Sequence, residues 1–469
     1  MSQPSHTSRV PRSVLGTEYA HHISRRGTDP GELTTPATES DLLAVAYRGR
    51  FLPSPVFVTA EERASLAADL RMAHTLLTGL PERLFDGDLG ALARVVGMTP
   101  TQVSVVERAA RSGGSPLPLA RSDLYRDAEG FKLLELNISS ALGGFENADI
   151  NRAMLRHPAL GEFVDKHDLG YVDTLRGIVD TMLAECAAHL PQGRRPVVAL
   201  ADWPESYASY EPRLRVMAEL LAGMGIDAIP CHVGQIGERG GRLEAHGRTI
   251  DVVYRFFLVE EIVTEDDAAL VEPVLRAVEQ GAVSLFCRFD SELYGNKGAL
   301  ALLSDDRHRA SFTAQERACI DRFLPWTRPV RRVVTAEDGS EREVRRYAME
   351  EQHELILKPT LLHGGEGIIA GWTVTAEEWR ARVARALDQP HVLQRRVRPL
   401  AEPFLRADGQ GCQDFFLNWG VFLTDPAATG GDGYGGCIVR GSADPGVGIV
   451  SMSGGARVGC TFHESPEPV

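Results

Sequence analysis

The segment Arg121–Gly144, RSDLYRDAEGFKLLELNISSALGG, constrains the fold most. It has the form of a β-hairpin. A strand around Ser122–Arg126 leads to a turn at Asp127-Ala128-Glu129-Gly130, then to a strand around Phe131–Asn137. Strict alternation places Phe131, Leu133, Glu135 and Asn137 on one face of the second strand. A carboxylate and an amide oxygen then stand two residues apart, with Asp123 able to lie beside them. Such hard oxygen ligands suit Mg²⁺, which prefers carboxylates plus phosphate oxygens to an all-protein cage. The SSALGG that follows is small and pliant, as a loop closing over a substrate needs to be. Taken alone, a hairpin like this is more often a solvated sheet edge. The rest of the chain favours the metal–nucleotide reading.

A length of 469 residues allows two or three packed units, and 43% hydrophobic with 24% charged residues is ordinary for a globular protein. The net charge of −14, without a long basic run, argues against nucleic acid as the main partner. Arg greatly outnumbers Lys. The seven cysteines are scattered and form no CxxC pair, as expected of reduced thiols. The N-terminus has no apolar leader core and no apolar run is long enough to span a bilayer, so a cytoplasmic protein without a membrane partner is expected.

Residues 1–40 are polar and rich in Ser, Thr and Pro, and are expected to be a loose arm. Residues 41–190 read as helical around the hairpin, with a capping box at Thr59–Glu62, a helix over Pro81–Val96 and another from Thr99 to Gly113. Residues 191–290 alternate strands (Pro196–Ala201, Ile226–Val233, Thr249–Phe257, Val283–Phe289) with helices (Pro212–Met224, Val263–Gly281), as a small parallel sheet requires. Residues 291–469 are richer in strands, at Leu355–Pro359, Val392–Val397, Asp414–Thr424 and Gly435–Ser442, with a second capping box at Thr375–Glu378.

Glu354–Gly367 reads ELILKPTLLHGGEG, a strand carrying Lys358 and then a glycine loop. An ammonium at a strand end and the backbone N–H groups of Gly364 and Gly365 could meet the same phosphate oxygens. The order is not that of a Walker A loop, and a glycine run alone is as readily a mobile turn. Lys297, heading an apolar helix, offers a second ammonium, although alone it would be a solvated helix start. Val392–Val397, with Gln394, could line adenine or be an ordinary strand. Arg121, Arg255 and Arg440 border apolar strands, where each could grip a carboxylate or close a structural ion pair. Ser451–Val458 is a second small-residue loop fit for a lid, and His363 is expected to pack beside the glycine loop without acting as a base.

This constellation resembles the eukaryotic-type glutathione synthetases, a circularly permuted branch of the ATP-grasp superfamily. In that family an R-S-D, an E-x-N and a serine-containing Gly-Gly loop occur in this order. TIDVVYRFF (Thr249–Phe257), Lys297, the ILKP loop (Ile356–Gly367) and VRG…SGGARVG (Val439–Gly459) then follow in the family's sequence. The resemblance implies an α/β (α+β) ATP-grasp fold, circularly permuted, with an inserted parallel-sheet substrate subdomain and a helical N-terminal region. By position, Glu135 and Asn137 would hold Mg²⁺ and ATP phosphates, Asp123 would support the metal or the bound substrate, and Lys297, Lys358, Gly364 and Gly365 would meet the phosphates. Gln394 would line adenine, and Arg121, Ser139, Ser140, Arg255 and Arg440 would meet the substrates. The resemblance also implies a homodimer. Two departures stand out: Leu361-Leu362-His363 replaces an acidic metal ligand, with Glu366 a few residues on, and Arg457 interrupts the small-residue lid.

The expected activity is an ATP-dependent carboxylate–amine ligase that joins two amino acids, γ-glutamyl-type or dipeptide, through an acylphosphate. Arg121, Arg440 and Lys358 are its expected catalytic residues. The rivals are a small-molecule kinase using the same ATP site and a non-catalytic ATP-binding protein.

Overall fold

The computed structural model describes residues 14–29, 41–47, 49–113, 115–116, 118–138, 143–406, 408–426 and 431–464. Its largest sheet has the order Val56–Val58, Arg457–Glu464, Tyr434–Ser442, Cys412–Thr424, Leu119–Asp127, Gly130–Ile138. Only the Val56–Val58 pairing along this path is parallel.

The expected hairpin is present, with a two-residue turn at Ala128–Glu129. Its register holds a surprise. Asp123 pairs with Glu135, but the next residue, Leu124, pairs with Leu133, so Leu134 is an extra, bulged residue. A bulge reverses the alternation. Phe131 and Leu133 therefore lie on the core face with Leu124 and Trp419, and Glu135 and Asn137 lie on the other face, opposite Asp123 and Arg121. The single four-residue face read from the sequence is thus two half-faces.

The core face of the sheet packs on the helices Ala60–Thr78 and Pro100–Ala110 and on the segments Ser291–Gly295, Lys297–Ser304 and Ala314–Phe323. At one end the opposite face is covered by Asn147–Leu155, Pro158–Lys166 and Thr174–Glu185, which meet Phe422, Ile438 and Phe462. The rest of that face, left uncovered by these helices, carries Arg121, Asp123, Glu135, Asn137, Asn418 and Arg440.

A four-stranded parallel sheet follows, ordered Ser284–Phe286, Val252–Arg255, Val197–Asp202, Asp227–His232. The chain leaves its first strand to one side and later returns to the other, so the strand ends at Asp202 and Arg255 flank a topological switch point. A third sheet is antiparallel, ordered Thr327–Pro329, His391–Arg395, Leu355–Pro359, Ile369–Ala370. Its Leu355, Leu357 and Leu393 pack under Trp379 and Tyr347. By alternation, Ile356, Lys358 and Gln394 emerge on the other side, facing the bulged hairpin.

Several boundaries differ from the sequence reading. Part of the expected loose arm is a helix, Val14–Arg26, because Leu15, Tyr19 and Ile23 form a buried stripe at helical spacing. The expected Pro81–Val96 helix is two helices, Leu80–Phe85 and Leu89–Val95, broken at Asp86 (φ 51°) and recapped by Asp88. The helix expected from Pro212 starts at Pro204 and carries Pro212 inside it. Thr375 caps its helix through Glu378 N–H without the reciprocal half of a capping box, whereas Thr59 makes both halves. No helix among the described residues is long and apolar enough to cross a membrane.

Candidate active site

The uncovered face of the large sheet and the outward face of the third sheet enclose a cavity of about 370 Å³. That is a size suited to a small-molecule ligand. Among the described residues its lining includes the basic side chains Arg121, Arg213, Lys358, Arg395, Arg396 and Arg440 but only two acidic ones, Asp123 and Glu135. Although the chain carries a net charge of −14, positive charge predominates in this lining, which favours anions.

At one end sits Glu135. Its Oε2 lies 3.5 Å from Lys297 Nζ, and its Oε1 accepts from Asn137 Nδ2 at 3.4 Å. Burial alone would push this carboxyl up, but Lys297, Lys358, His363 and Arg121 outweigh it and hold it down at about 2. Lys297 is placed by its helix start: Asn296 Oδ1 caps Gly298 N–H, and Lys297 N–H donates to Thr360 O. Its ammonium also donates to Leu362 O at 2.7 Å, anchoring the glycine loop. Lys358 Nζ donates to the bulged Leu134 carbonyl at 3.2 Å, and burial lowers its pKa to about 8, with Glu135 opposing the shift. Gly364 (φ 65°) and Gly365 (φ 84°) border the cavity in left-handed conformations that favour glycine. Gln394 reaches the cavity wall, but its amide donates to Thr327 Oγ1 and to Leu134 O. Beyond it the Arg396 guanidinium stacks 3.9 Å over Trp372, giving a flat wall.

On the neighbouring strand, directly across from Glu135, Asp123 is held between two arginines. Arg121 Nε lies 3.0 Å from Oδ1 and Arg440 Nη2 2.8 Å from Oδ2. Arg440 also donates to Asn418, its cross-strand partner. Arg121 lies across the sheet because Gly420 leaves room: a Cβ there would stand 3.2 Å from Arg121 Cδ. Arg121 Nη1 further donates to Gly143 O at 2.6 Å.

The sequence-based set is therefore brought together in part. Arg121, Asp123, Glu135, Asn137, Lys358, Gly364, Gly365, Gln394 and Arg440 share the cavity, with Lys297 directly behind Glu135. Ser139 and Ser140 lie outside the described residues. Two expectations are corrected. Arg255 does not reach the cavity; it is fully buried, ion-paired with Glu292, and donates to the carbonyls of Cys287, Phe257 and Arg288. Asp123 is occupied by Arg121 and Arg440, and among the described residues no three His, Cys, Asp or Glu side chains converge as a metal cluster. What fits Mg²⁺ is the smaller pair of Glu135, ionised by its lysine neighbours, and Asn137. A magnesium ion that keeps water and phosphate oxygens as its other ligands asks for no more. Glu366 does not complete the set: it is exposed and borders a neighbouring cavity. His363 bonds Glu260 at 2.9 Å, in keeping with loop packing.

Sequence reasoning missed Tyr47, Tyr210, Arg213 and Asn418, which also line the cavity. No motif marks them; they come from three separate elements that meet only in the fold. Arg213 pairs with the fully buried Glu146, which also accepts from Gly144 N–H and so fixes the turn after the hairpin. The neighbouring cavity, about 330 Å³, shares Gly143, Tyr210 and Arg213 with the first. Asp202, Glu260, Glu261 and Glu366 give it the opposite sign, at the C-terminal ends of the parallel strands. Burial raises Glu261 to about 7.

Solved structures of similar overall shape exist. A glutathione synthetase-like effector from Globodera pallida matches with a TM-score of 0.50 at 13% identity, over 87% of this chain and 86% of the other. This chain has the glutathione synthetase-like fold. A protein from Methylobacillus flagellatus KT, provisionally named a gamma-glutamylcysteine synthetase, matches with a TM-score of 0.42 at 13% identity, over 81% of this chain and 86% of the other. D-alanyl-alanine synthetase A of Vibrio cholerae O1 matches with a TM-score of 0.27 at 10% identity, over 50% of this chain and 69% of the other. No family model and no curated protein matches the sequence.

Proposed function

We propose that this protein is an ATP-dependent carboxylate–amine ligase, ADP-forming, acting on amino acids. The observation that carries the reading is the cluster of cationic side chains around two neighbouring carboxylates in one cavity. Lys297 and Lys358 stand at Glu135 near the Gly364–Gly365 turn, and Arg121 and Arg440 hold its cross-strand neighbour Asp123. The lysines and the glycine turn suit the phosphates of a nucleoside triphosphate, and the arginines suit a carboxylate brought beside them. The expected circular permutation, the homodimer and the cytoplasmic location belong to the same proposal.

In the proposed reaction a carboxylate oxygen of the acid attacks the γ-phosphorus, and the bond from phosphorus to the ADP oxygen breaks. The amine nitrogen then attacks the acyl carbon, phosphate leaves with the former carboxylate oxygen, and the amine sheds a proton. Such transfer relies on alignment and charge stabilisation rather than on a side-chain nucleophile. Lys358 and Lys297 place ammonium groups where the transferred phosphoryl gathers charge, and Arg121 and Arg440 orient the acid. Glu135 and Asn137 would hold Mg²⁺, which when bound neutralises phosphate charge. Gly364 and Gly365 would close over the phosphates and exclude water from the acylphosphate. The acidic neighbouring cavity supports a two-substrate reading, because an amine arrives as a cation.

The test is phosphate release from Mg·ATP with pooled amino acids, followed by mass spectrometry. Amides formed together with ADP and phosphate support the ligase and identify both substrates. A phosphorylated product without an amide favours a kinase, and AMP with pyrophosphate rejects the acylphosphate route.

A further inference from the structure

The second cavity, about 330 Å³, lies just beyond the C-terminal ends of the adjacent parallel strands Val197–Asp202 and Val252–Arg255. That is the switch in strand order, where open parallel sheets hold ligands. Among the described residues four carboxylates line it, Asp202, Glu260, Glu261 and Glu366, against one base, Arg213. Arg213 does not neutralise them, because it is paired with the buried Glu146 and lies 5.1 Å over the Phe145 ring. Glu260 bonds His363 of the glycine loop. The walls between the acids are hydrocarbon: Phe145, Leu214, Met217, Phe256 and Leu258.

Asp202 shows which kind of group the cavity accepts. It is 5% exposed. Its Oδ1 accepts from Trp203 N–H at 2.9 Å and from Ser206 Oγ at 3.2 Å, which satisfies the start of the helix Pro204–Gly223. Its Oδ2 takes no hydrogen bond from any described residue, and the side chain lines the cavity. Buried carboxylate oxygens nearly always have a donor. Glu261 stands close by: Ser206 Oγ also lies 3.5 Å from its Oε1, so one hydroxyl serves two acids and can donate to only one at a time. Burial raises both carboxyls, and the neighbouring Asp202, Glu260 and Glu292 help to bring Glu261 to about 7. A cation between the two acids relieves both.

The acids suit an ammonium group and the apolar walls suit an aliphatic stem behind it. An amine held between carboxylates is protonated and has no lone pair to offer an acyl carbon. The ammonium seated here is therefore not the nucleophile, and its molecule carries a second amine. The two cavities share Gly143, Tyr210 and Arg213, so that second amine can reach the first.

We propose that Asp202 and Glu261 bind the terminal ammonium of the amine substrate, an aliphatic chain with one amine anchored and another free to react. A basic amino acid and a diamine share this chemistry. The proposal deepens the ligase reading and rests on it for the word substrate; the ammonium site itself does not require turnover.

Calorimetric titration of L-lysine, L-ornithine, cadaverine and putrescine, singly, into the protein saturated with Mg²⁺ and a non-hydrolysable ATP analogue tests it. At least one is expected to bind, and L-norleucine, which has the stem without the ammonium, to bind at least about tenfold more weakly. Tighter binding of the amino acids than of the diamines assigns the site to a basic amino acid, and the reverse order to a diamine. Asp202→Asn and Glu261→Gln are each expected to weaken the bound amine by about tenfold and to leave the ATP analogue binding as in the parent, which also reports that the variants fold. No binding of any of the four, norleucine bound as well as the amines, or an affinity unchanged in both variants would each overturn the proposal. Asp202-dependent binding without ADP formation in the presence of pooled amino acids would instead reject the ligase reading and leave the ammonium site standing.

Discussion

The ammonium of Lys358 donates to the carbonyl of Leu134, the residue that the β-bulge adds to the hairpin. The same bulge that turns Glu135 into the cavity therefore supplies the lysine with its acceptor. Burial lowers Lys358 to about 8 in the free protein, against an ordinary 10.5. As pH rises through 8 the ammonium is lost, and kcat/KM for ATP, which reports the free protein, should fall by up to tenfold per pH unit. The fall in kcat should be smaller, because a bound triphosphate restores the charge. Lys358→Arg should lower the rate but flatten this limb, since guanidinium does not titrate there. A parent profile flat to beyond pH 9 would reject the assignment.

Glu135 works in the opposite direction. Its carboxyl lies at about 2 when folded and at 4.5 ordinarily, because the cations around it outweigh its burial. A depressed acid contributes stability that is complete above 4.5 and lost as pH falls from there through 2. The contribution is on the order of 3 kcal/mol. Glu135→Gln should therefore remove part of the acid dependence of stability between pH 4.5 and 2, measured by urea unfolding at stepped pH. It should also abolish turnover at pH 7. An unchanged acid profile would mean that Lys297 and Lys358 do not compensate the carboxylate as described.

The hairpin and the lysine strand were legible because alternation and turn chemistry act over a few residues. The face assignment of Phe131 and Leu133 was not, because a bulge is set by the neighbouring strand and carries no local mark here. Pro212 hid the start of its helix, since Pro204 already supplies the first-turn proline and the helix tolerates the second. Arg255 looked like a substrate arginine because sequence cannot distinguish a grip on a ligand carboxylate from an ion pair with Glu292. One signal was available and unused. The chain has 46 arginines and four lysines, and two of those four, Lys297 and Lys358, stand at Glu135. In a composition that otherwise favours Arg, buried lysines point to places that need a compact ammonium instead of a planar fork.

Arg255 should behave as a structural residue. Its guanidinium is fully buried between Glu292 and several carbonyls, with Phe257 and Phe289 against its faces. Arg255→Met leaves Glu292 buried without its cation, which typically costs about 3–5 kcal/mol. Chemical denaturation should show that loss, while the folded variant keeps its substrate KM values within about twofold. A large KM increase with unchanged stability would restore the substrate-binding role.

Asp123 separates two readings of the cavity. As a metal ligand it would be needed for Mg²⁺; as observed, its two oxygens are taken by Arg121 and Arg440. Asp123→Asn removes a buried charge shared by two guanidiniums, so a stability loss of about 3 kcal/mol is expected. The two arginines then lose the contact that orients them, and the KM for the acid should rise. The Mg²⁺ concentration for half-maximal turnover should stay where it is, because Glu135 and Asn137 are untouched. Titrating Mg²⁺ at saturating ATP in Asp123→Asn and in Asn137→Ala decides the matter. A shift confined to Asn137→Ala assigns Asp123 to the arginines, and an equal shift in both would return it to the metal.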